Sequence, residues 1–91
     1  MRLERGGPWD WSRGLREQEG WDEHATFMEE LVADGFVVVG GPLEDEHFVL
    51  HIVDADSEAA VRERLAVDPW WQNGMLAPVA IERFTVLLDG R

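Results

Sequence analysis

The fold of this chain is constrained most by four consecutive apolar residues, FVVV at positions 36–39. Successive side chains of a strand point to opposite faces, so this run is apolar on both faces and needs cover on both. Glycine and proline follow at positions 40–42 and end the strand. A chain of 91 residues has one pair of helices to offer, and these cover only one face of a sheet. The sequence therefore predicts that a second copy of the chain covers the other face, as a homodimer.

The hydrophobic pattern around this strand predicts the element order β-α-β-β-α-β. Apolar residues at spacings of three and four, from Trp21 to Val32, indicate the first helix, and Gly35 supplies its stop. The predicted elements are a short strand over residues 2–5, a helix over 21–34, strands over 36–39 and 47–53, a helix from Asp56 or Ser57 to about 67, and a strand over 78–88. This order is typical of a single ferredoxin-like α+β domain, here residues 1–91, with both helices on one face of one sheet.

Residues 6–20 interrupt this pattern and are rich in glycine. Trp9 and Trp11 lie among them, and two indole rings are costly to leave in water. We therefore predict an ordered loop near the pocket, because irregular segments of this length often form the walls or lids of sites. Trp9 is the candidate ligand-contacting residue of this loop.

Charge and composition exclude several classes of function. The chain has 8 basic residues against 19 acidic ones, a formal net charge of −11, so it would repel a nucleic acid. It has no cysteine, which excludes disulfides, thiol nucleophiles and iron–sulfur clusters. No apolar run approaches the ~18 residues of a membrane span, and the first residues lack the apolar core of a signal peptide. We expect a cytoplasmic protein without nucleic-acid or membrane partners.

Two residues are candidates for chemistry, and each has a structural alternative. His24 lies on the apolar stripe of the first helix, either as a core histidine or as a base at the edge of a pocket. Asp68 precedes a proline, either as a cap at a helix end or as a carboxylate that orients the imidazole. Trp70 would then be an aromatic wall of the pocket. Sequence spacing does not show whether the two side chains meet.

Other positions carry weaker signals. Arg16 could bind a carboxylate of the substrate or form an ordinary surface ion pair. Gly41 and Pro42 form tight backbone at the end of a strand, where a ligand could approach closely. His47 and His51 share a strand face, but four residues of strand span roughly 13 Å, too far for one metal ion. These two are therefore predicted to be solvated histidines, and no metal site is predicted.

Several stretches of the sequence occur together in one known family. They are REQ at positions 16–18, Trp21 with His24 and Phe27, GFVVVGGPL at 35–43, AVDPW at 66–70, and the last strand. On these stretches the chain resembles the YCII-related family of small bacterial proteins, over about residues 14–88. The resemblance implies the dimeric α+β barrel, in which two ferredoxin-like sheets pack face to face. Members usually begin with a full apolar strand, whereas this chain offers only Leu3 within residues 1–5.

The resemblance also implies a site and an activity. The family has a histidine in the first helix and an aspartate in the Asp-Pro-aromatic turn, proposed as a catalytic pair, and here these are His24 and Asp68. At least one similar protein removes chloride from a chlorinated aromatic diol or quinol. We accordingly expect a cofactor-independent enzyme of lyase (dehydrochlorinase) or isomerase type, with His24 as base, on a small aromatic or enol substrate. The alternative is a non-catalytic ligand-binding or stress-associated module that uses the same pocket without turnover.

Overall fold

The chain folds into one antiparallel sheet and three α-helices; the structure, a computed structural model, describes residues 1–90. Its elements are β1 (Arg2–Arg5), a short 3₁₀ helix (Leu15–Glu17), α1 (Trp21–Ala33), β2 (Val37–Pro42), β3 (Phe48–Val53), α2 (Glu58–Leu65), α3 (Pro69–Gln72) and β4 (Leu76–Ala80). The strands lie in the order β2-β3-β1-β4, and each adjacent pair is antiparallel. This arrangement confirms the predicted ferredoxin-like α+β fold, with α3 as a short addition after α2.

Leu3 lies at the centre of the sheet. It pairs with Val49 of β3 on one side and with Pro78 of β4 on the other. Its side chain is fully buried in a cluster that includes Trp70 and Leu76. The short first strand that the sequence predicts is therefore present, and its one apolar side chain fills the middle of the core.

A second core cluster joins the two longer helices to β2. Its buried members are Leu31, Phe36, Val37, Val61 and Leu65. Val37 pairs with Val53, whose side chain lies on the same face of β3 as that of Val49, because residues two and four apart share a face. The helices therefore cover one face of the sheet.

α1 ends in a left-handed glycine, as the sequence predicts. Gly35 has a φ of 78°. Its N–H donates to the Val32 carbonyl at 3.0 Å, and the next N–H, that of Phe36, donates to the Leu31 carbonyl at 2.9 Å. This is a Schellman motif, and the Phe36 ring packs with Leu31 in the core. Phe36 thus closes α1, and β2 starts one residue later than predicted. The strand also continues to Pro42 and does not end at Val39, because residues 40–42 pair with β3.

α2 begins with a side-chain cap, whereas Gly20, the N-cap residue of α1, has none. Ser57, one of the two predicted caps, accepts a hydrogen bond from the Ala60 N–H at 3.1 Å at the start of α2.

α1 has 13 residues. No helix within residues 1–90 has both the length and the apolar character needed to cross a lipid bilayer.

β2 contains a bulge that divides its apolar residues between the two faces. Val37 pairs with Val53 and Val39 pairs with Ile52, so Val38 is the extra residue. Val37 is buried under the helices, whereas Val39 is exposed beside Ile52 on the open face. The run is therefore apolar toward both faces, as the sequence argument requires.

The last strand is shorter than predicted. β4 covers Leu76–Ala80, whereas the sequence predicts a strand over residues 78–88. Within residues 1–90 only β1 lies beside β4, and its pairing begins at Arg2 opposite Ala80. The residues after Ala80 consequently have no neighbouring strand to pair with, and residues 81–90 form no regular structure.

Candidate active site

His24 and Asp68 meet in the interior of the molecule although they lie 44 positions apart in the sequence. α1 places His24, whose exposed fraction is 8%, and the turn before α3 places Asp68, whose exposed fraction is 1%. The Nδ1 atom of His24 lies 2.9 Å from each carboxylate oxygen of Asp68. The histidine is therefore buried like a core residue, but its partner is a carboxylate and not the backbone.

Asp68 is also held by its own turn. It is the N-cap residue of α3, where Oδ1 accepts the N–H of Trp70 at 2.9 Å. Its own N–H donates to the Leu65 carbonyl at 2.9 Å. Pro69 occupies the first position of α3, where a helix does not need the N–H that proline lacks. Asp68 is therefore both the cap of α3 and the partner of the imidazole, two roles that the sequence left as alternatives.

The hydrogen bond to Asp68 selects the tautomer of His24. An ionised carboxylate only accepts hydrogen bonds, so Nδ1 donates and the neutral ring keeps its lone pair on Nε2. Among the residues described, none is hydrogen-bonded to Nε2. The ring borders a groove of about 310 Å³, which is otherwise lined by Trp21, Ala25, Met28, Glu29 and Val32 of α1. A base with a free lone pair therefore lies beside a largely apolar groove.

Trp70 supports the histidine from behind. Its ring stacks on the His24 ring with 3.9 Å between centroids and 10° between planes. Its Nε1 donates to the Glu19 carbonyl at 2.9 Å, and the Trp9 and Trp70 rings form a T-shaped contact with 5.2 Å between centroids. With 1% of its surface exposed, Trp70 positions the imidazole and does not line the groove. Trp9 is likewise buried and acts through Trp70.

The loop over residues 6–20 is ordered by a buried amide that the sequence analysis did not single out. Gln18 accepts the N–H of Asp10 at 3.0 Å through Oε1. Its Nε2 donates to the Asp10 carbonyl at 2.6 Å and to the Arg13 carbonyl at 3.0 Å. Gln18 thereby ties the two sides of the loop together, and the signal for it was its place in the REQ stretch that carries the family resemblance.

Arg16 lies near Trp21 and is not itself among the residues that line the groove. Its guanidinium carbon is 6.0 Å from the centre of the Trp21 ring, which lines the groove. The surface ion pair considered for Arg16 is absent, because within the described part of the chain it has no carboxylate partner. The guanidinium therefore lies near one wall residue of the groove without a carboxylate partner among the described residues.

The strand-end residues Gly41 and Pro42 are not brought to the pair. Gly41 pairs with Leu50, on the face of the sheet away from the helices, and Pro42 is exposed at the end of β2. The close approach occurs instead at Gly40, where an added Cβ would lie 2.5 Å from the Cδ2 atom of His51.

His51 is not the solvated histidine that was predicted. Its exposed fraction is 7%, because its side chain and that of Val49 point toward the helices while Leu50 points to the open face. The pKa of His51 is lowered to about 4, chiefly by burial and to a smaller extent by the Met1 ammonium group and by His24 when His24 is protonated, while Asp68 acts in the opposite direction. The alternation of side chains along a strand shows which residues share a face, but it does not show which of the two faces is buried. His47, which precedes β3, is exposed as predicted.

Two further observations limit the candidate site. No group of three or more potential metal ligands occurs among residues 1–90. A larger cleft of about 760 Å³ lies between residues 81–90 and the sheet, and its lining includes neither His24 nor Asp68. The buried pair and the groove on α1 are therefore the place where the described residues concentrate chemistry.

A comparison with known families identifies the family of the chain. The profile of the YCII-related domain matches residues 13–85, a span that includes α1, the turn at Asp68 and all of the sheet except β1. No curated protein and no solved structure is significantly similar to the chain. Because the match covers most of the sequence and both members of the pair, the chain belongs to the YCII-related family.

Proposed function

We propose that this YCII-related protein is an enzyme that transfers a proton on a small aromatic or enol-type substrate, with His24 as the general base and without a cofactor. One observation carries the proposal: His24 donates Nδ1–H to the buried carboxylate of Asp68, leaves its second nitrogen without a partner among the described residues, and borders a groove. Burying a carboxylate is costly unless it is paired and hydrogen-bonded, and here the pairing also fixes the imidazole in the tautomer that a general base needs.

In the proposed reaction, His24 Nε2 takes a proton from an acidic C–H or O–H group of the substrate. Asp68 stays ionised, keeps the ring in the required tautomer and stabilises the imidazolium that forms. The stacked Trp70 ring adds a cation–π attraction to the same imidazolium. In an isomerisation the proton returns to a different atom; in an elimination a leaving group such as chloride departs with its bonding electrons as a double bond forms.

The residues in and near the groove suit a planar substrate that carries an acidic oxygen. Trp21 and Met28 offer apolar surface to a ring. Arg16, beside Trp21 and without a carboxylate partner among the described residues, supplies a positive charge for a phenolate, an enolate or a carboxylate. A molecule of this kind can place its ring on the groove and its acidic proton at His24.

The assembly that we propose is a two-fold homodimer through the open face of the sheet. Val39, Leu50 and Val79 lie on this face with exposed fractions of 57%, 41% and 44%. Arg2 and Glu4 of β1 lie on the same face, paired with residues Leu50 and Phe48, so two copies related by a two-fold axis can pair opposite charges. The partner is thus a second copy of this chain.

The function is tested in two stages. A thermal-shift screen of small phenols, hydroquinones and enol acids first identifies a ligand, and turnover of that ligand is then measured in wild type, His24→Gln and His47→Gln. The exposed His47 is the matched control. We expect His24→Gln to keep its fold and lose roughly 10²–10⁴-fold in kcat, and His47→Gln to match wild type.

Other outcomes separate the alternatives. A ligand that binds in the groove and yields no product with any of the three proteins would favour the non-catalytic binding module. A large loss of melting temperature in His24→Gln with unchanged turnover would make His24 a core residue.

A further inference from the structure

Glu29 is the acidic residue among those that line the groove beside His24. Apart from these two, the lining residues are apolar. The side chain of Glu29 is exposed, and its carboxylate has no ion pair or hydrogen bond within the described part of the chain. The mechanism proposed above gives this carboxylate no role, although any molecule that fills the groove meets it.

The geometry of α1 places Glu29 and His24 at opposite margins of the groove. Both residues lie within the regular helix Trp21–Ala33. Five residues of an α-helix turn by about 140° beyond a full turn and rise by about 7.5 Å, which separates the two side chains. The apolar lining residues fall between these margins on the helical wheel: Trp21, Ala25, Met28 and Val32. A ligand that lies across the groove therefore meets His24 at one end and Glu29 at the other.

The Glu29 margin of the groove is negatively charged. α1 contains four acidic residues and neither lysine nor arginine. The two arginines of α2 are paired with other carboxylates, Arg62 with Glu58 and Arg64 with Asp34. The negative charge of Glu29 is therefore not neutralised by its own helix or by an arginine of α2.

A ligand that covers Glu29 displaces water from its carboxylate. A ligand without a hydrogen-bond donor at this end leaves the charge partly desolvated and unpaired, which is costly. A ligand with an ammonium group supplies a charge-assisted hydrogen bond, whereas an anionic group is repelled. The carboxylate therefore discriminates among ligands that fit the same apolar wall.

We propose that Glu29 is a specificity-determining residue, which binds an ammonium group of the substrate while the acidic proton of the same molecule lies at His24. This inference rests on the proposed function, because it names the substrate class of the same site. The substrate is then a phenol or an enolisable carbonyl compound that carries a primary amine on a short arm. A two-carbon arm on a benzene ring gives such a molecule a length comparable to the rise of about 7.5 Å between the two residues.

Three phenols that differ only at the end of a two-carbon arm test the contact. Tyramine ends in an ammonium group, 4-propylphenol in a methyl group and 3-(4-hydroxyphenyl)propionate in a carboxylate. Calorimetry gives their affinities for wild type, Glu29→Gln and Glu30→Gln. Glu30 is the matched control, because it is exposed on the same helix and does not line the groove.

The two variants lose the same charge, and only one of them loses it in the groove. We expect Glu29→Gln to bind tyramine roughly 3- to 10-fold more weakly, because the ion pair is partly exposed. The affinity for 4-propylphenol should stay nearly constant, and that for the carboxylate should rise. Glu30→Gln should bind all three as wild type does, since water and salt screen a charge outside the groove.

Equal losses of tyramine affinity in Glu29→Gln and Glu30→Gln would overturn the contact, because the charge of the whole helix would then attract the amine. A wild type that binds none of the three phenols, or that binds the carboxylate most tightly, would overturn it as well. Tyramine binding that depends on Glu29, with no turnover of any amine-bearing phenol, would support the contact and reject the enzyme. Turnover that depends on His24 and ignores both the amine and Glu29 would overturn the contact and leave the proposed function standing.

The place of binding is measured separately, because the larger cleft beside residues 81–90 also has acidic side chains, among them Asp54 and Glu82. NMR titration of isotope-labelled wild type with tyramine should shift the backbone amides of α1. Shifts confined to the residues of the larger cleft would overturn the proposal.

Discussion

Asp68 makes two kinds of hydrogen bond that place different demands on its side chain. The cap of α3 needs an acceptor for the Trp70 N–H, whereas His24 needs an acceptor for its Nδ1–H. In Asp68→Asn we expect the side-chain oxygen to keep the cap, because asparagine is as good an N-cap as aspartate. The amide N–H would then donate to Nδ1 and force the proton of His24 onto Nε2. Turnover is expected to fall on the order of 10⁴-fold with little change in melting temperature.

Asp68→Ala is the comparison that completes this test. It removes both hydrogen bonds, so it should cost about 0.5–2 kcal/mol of stability for the cap in addition to the loss of turnover. Chemical denaturation and steady-state kinetics of the two variants give both quantities. Full activity in Asp68→Asn would mean that the carboxylate serves α3 alone.

His51 makes the stability of the fold depend on pH. Its pKa is about 4 in the folded protein, against about 6.5 in an unfolded chain. The unfolded chain therefore binds more protons between these values, and stability present above pH 6.5 is lost as the pH falls toward 4, by on the order of 3 kcal/mol. The charged groups that act on the ring are His24, Asp68 and the Met1 ammonium group.

The measurement is urea unfolding at pH 7 and pH 5 of wild type, His51→Leu and His47→Gln. We expect the difference in stability between the two pH values to shrink in His51→Leu and to persist in His47→Gln, because His47 is exposed. An unchanged difference in His51→Leu would show that His51 does not titrate in this range.

The end of α1 depends on one backbone conformation. Gly35 has a φ of 78°, and an added Cβ would meet no atom within 4 Å, so only the left-handed conformation opposes a side chain there. Gly35→Ala should therefore destabilise the protein by about 1–2 kcal/mol. Gly14→Ala is the matched control, since Gly14 has equally open surroundings and a φ of −72°. Equal unfolding midpoints for the two variants would contradict this account.

The elements that the sequence predicts well are those determined by neighbouring residues. The stripe from Trp21 to Val32 and the stop at Gly35 define α1, and a serine defines the start of α2. The end of β4 could not be predicted in this way, because it depends on how far β1 extends beside it. A strand ends where its partner ends, and that partner is remote in the sequence.

In the site, too, features set by neighbouring residues could be predicted and contacts between remote residues could not. The types of His24 and Asp68 made them candidates, but their contact spans 44 positions and was expected only from the family resemblance. Trp70 was expected to line a pocket and instead lies behind His24, since a stacking contact has no signature in spacing. His51 was missed because alternation along β3 does not identify the buried face.

As a whole, the described molecule has an apolar sheet face that its own helices leave open. We expect sedimentation to give twice the chain mass of 10.4 kDa at micromolar concentration, with a buried interface above ~1,000 Å². Leu50→Glu places a charge in the middle of this face and should produce monomers. Val67→Glu is the control, because Val67 is exposed outside the sheet. Monomeric wild type, or a dimer that survives Leu50→Glu, would contradict the proposed assembly.

The central claim is that His24, held by Asp68, removes a proton from a bound substrate. The most direct measurement is the exchange of an acidic carbon-bound hydrogen of a groove ligand for deuterium in D₂O, followed by NMR. This exchange reports proton abstraction even when the later steps of the reaction are unknown. We predict that wild type accelerates it and that His24→Gln loses roughly 10²–10⁴-fold of the acceleration while binding the ligand equally well. Equal exchange rates in wild type and His24→Gln, with the ligand bound to both, would contradict the claim.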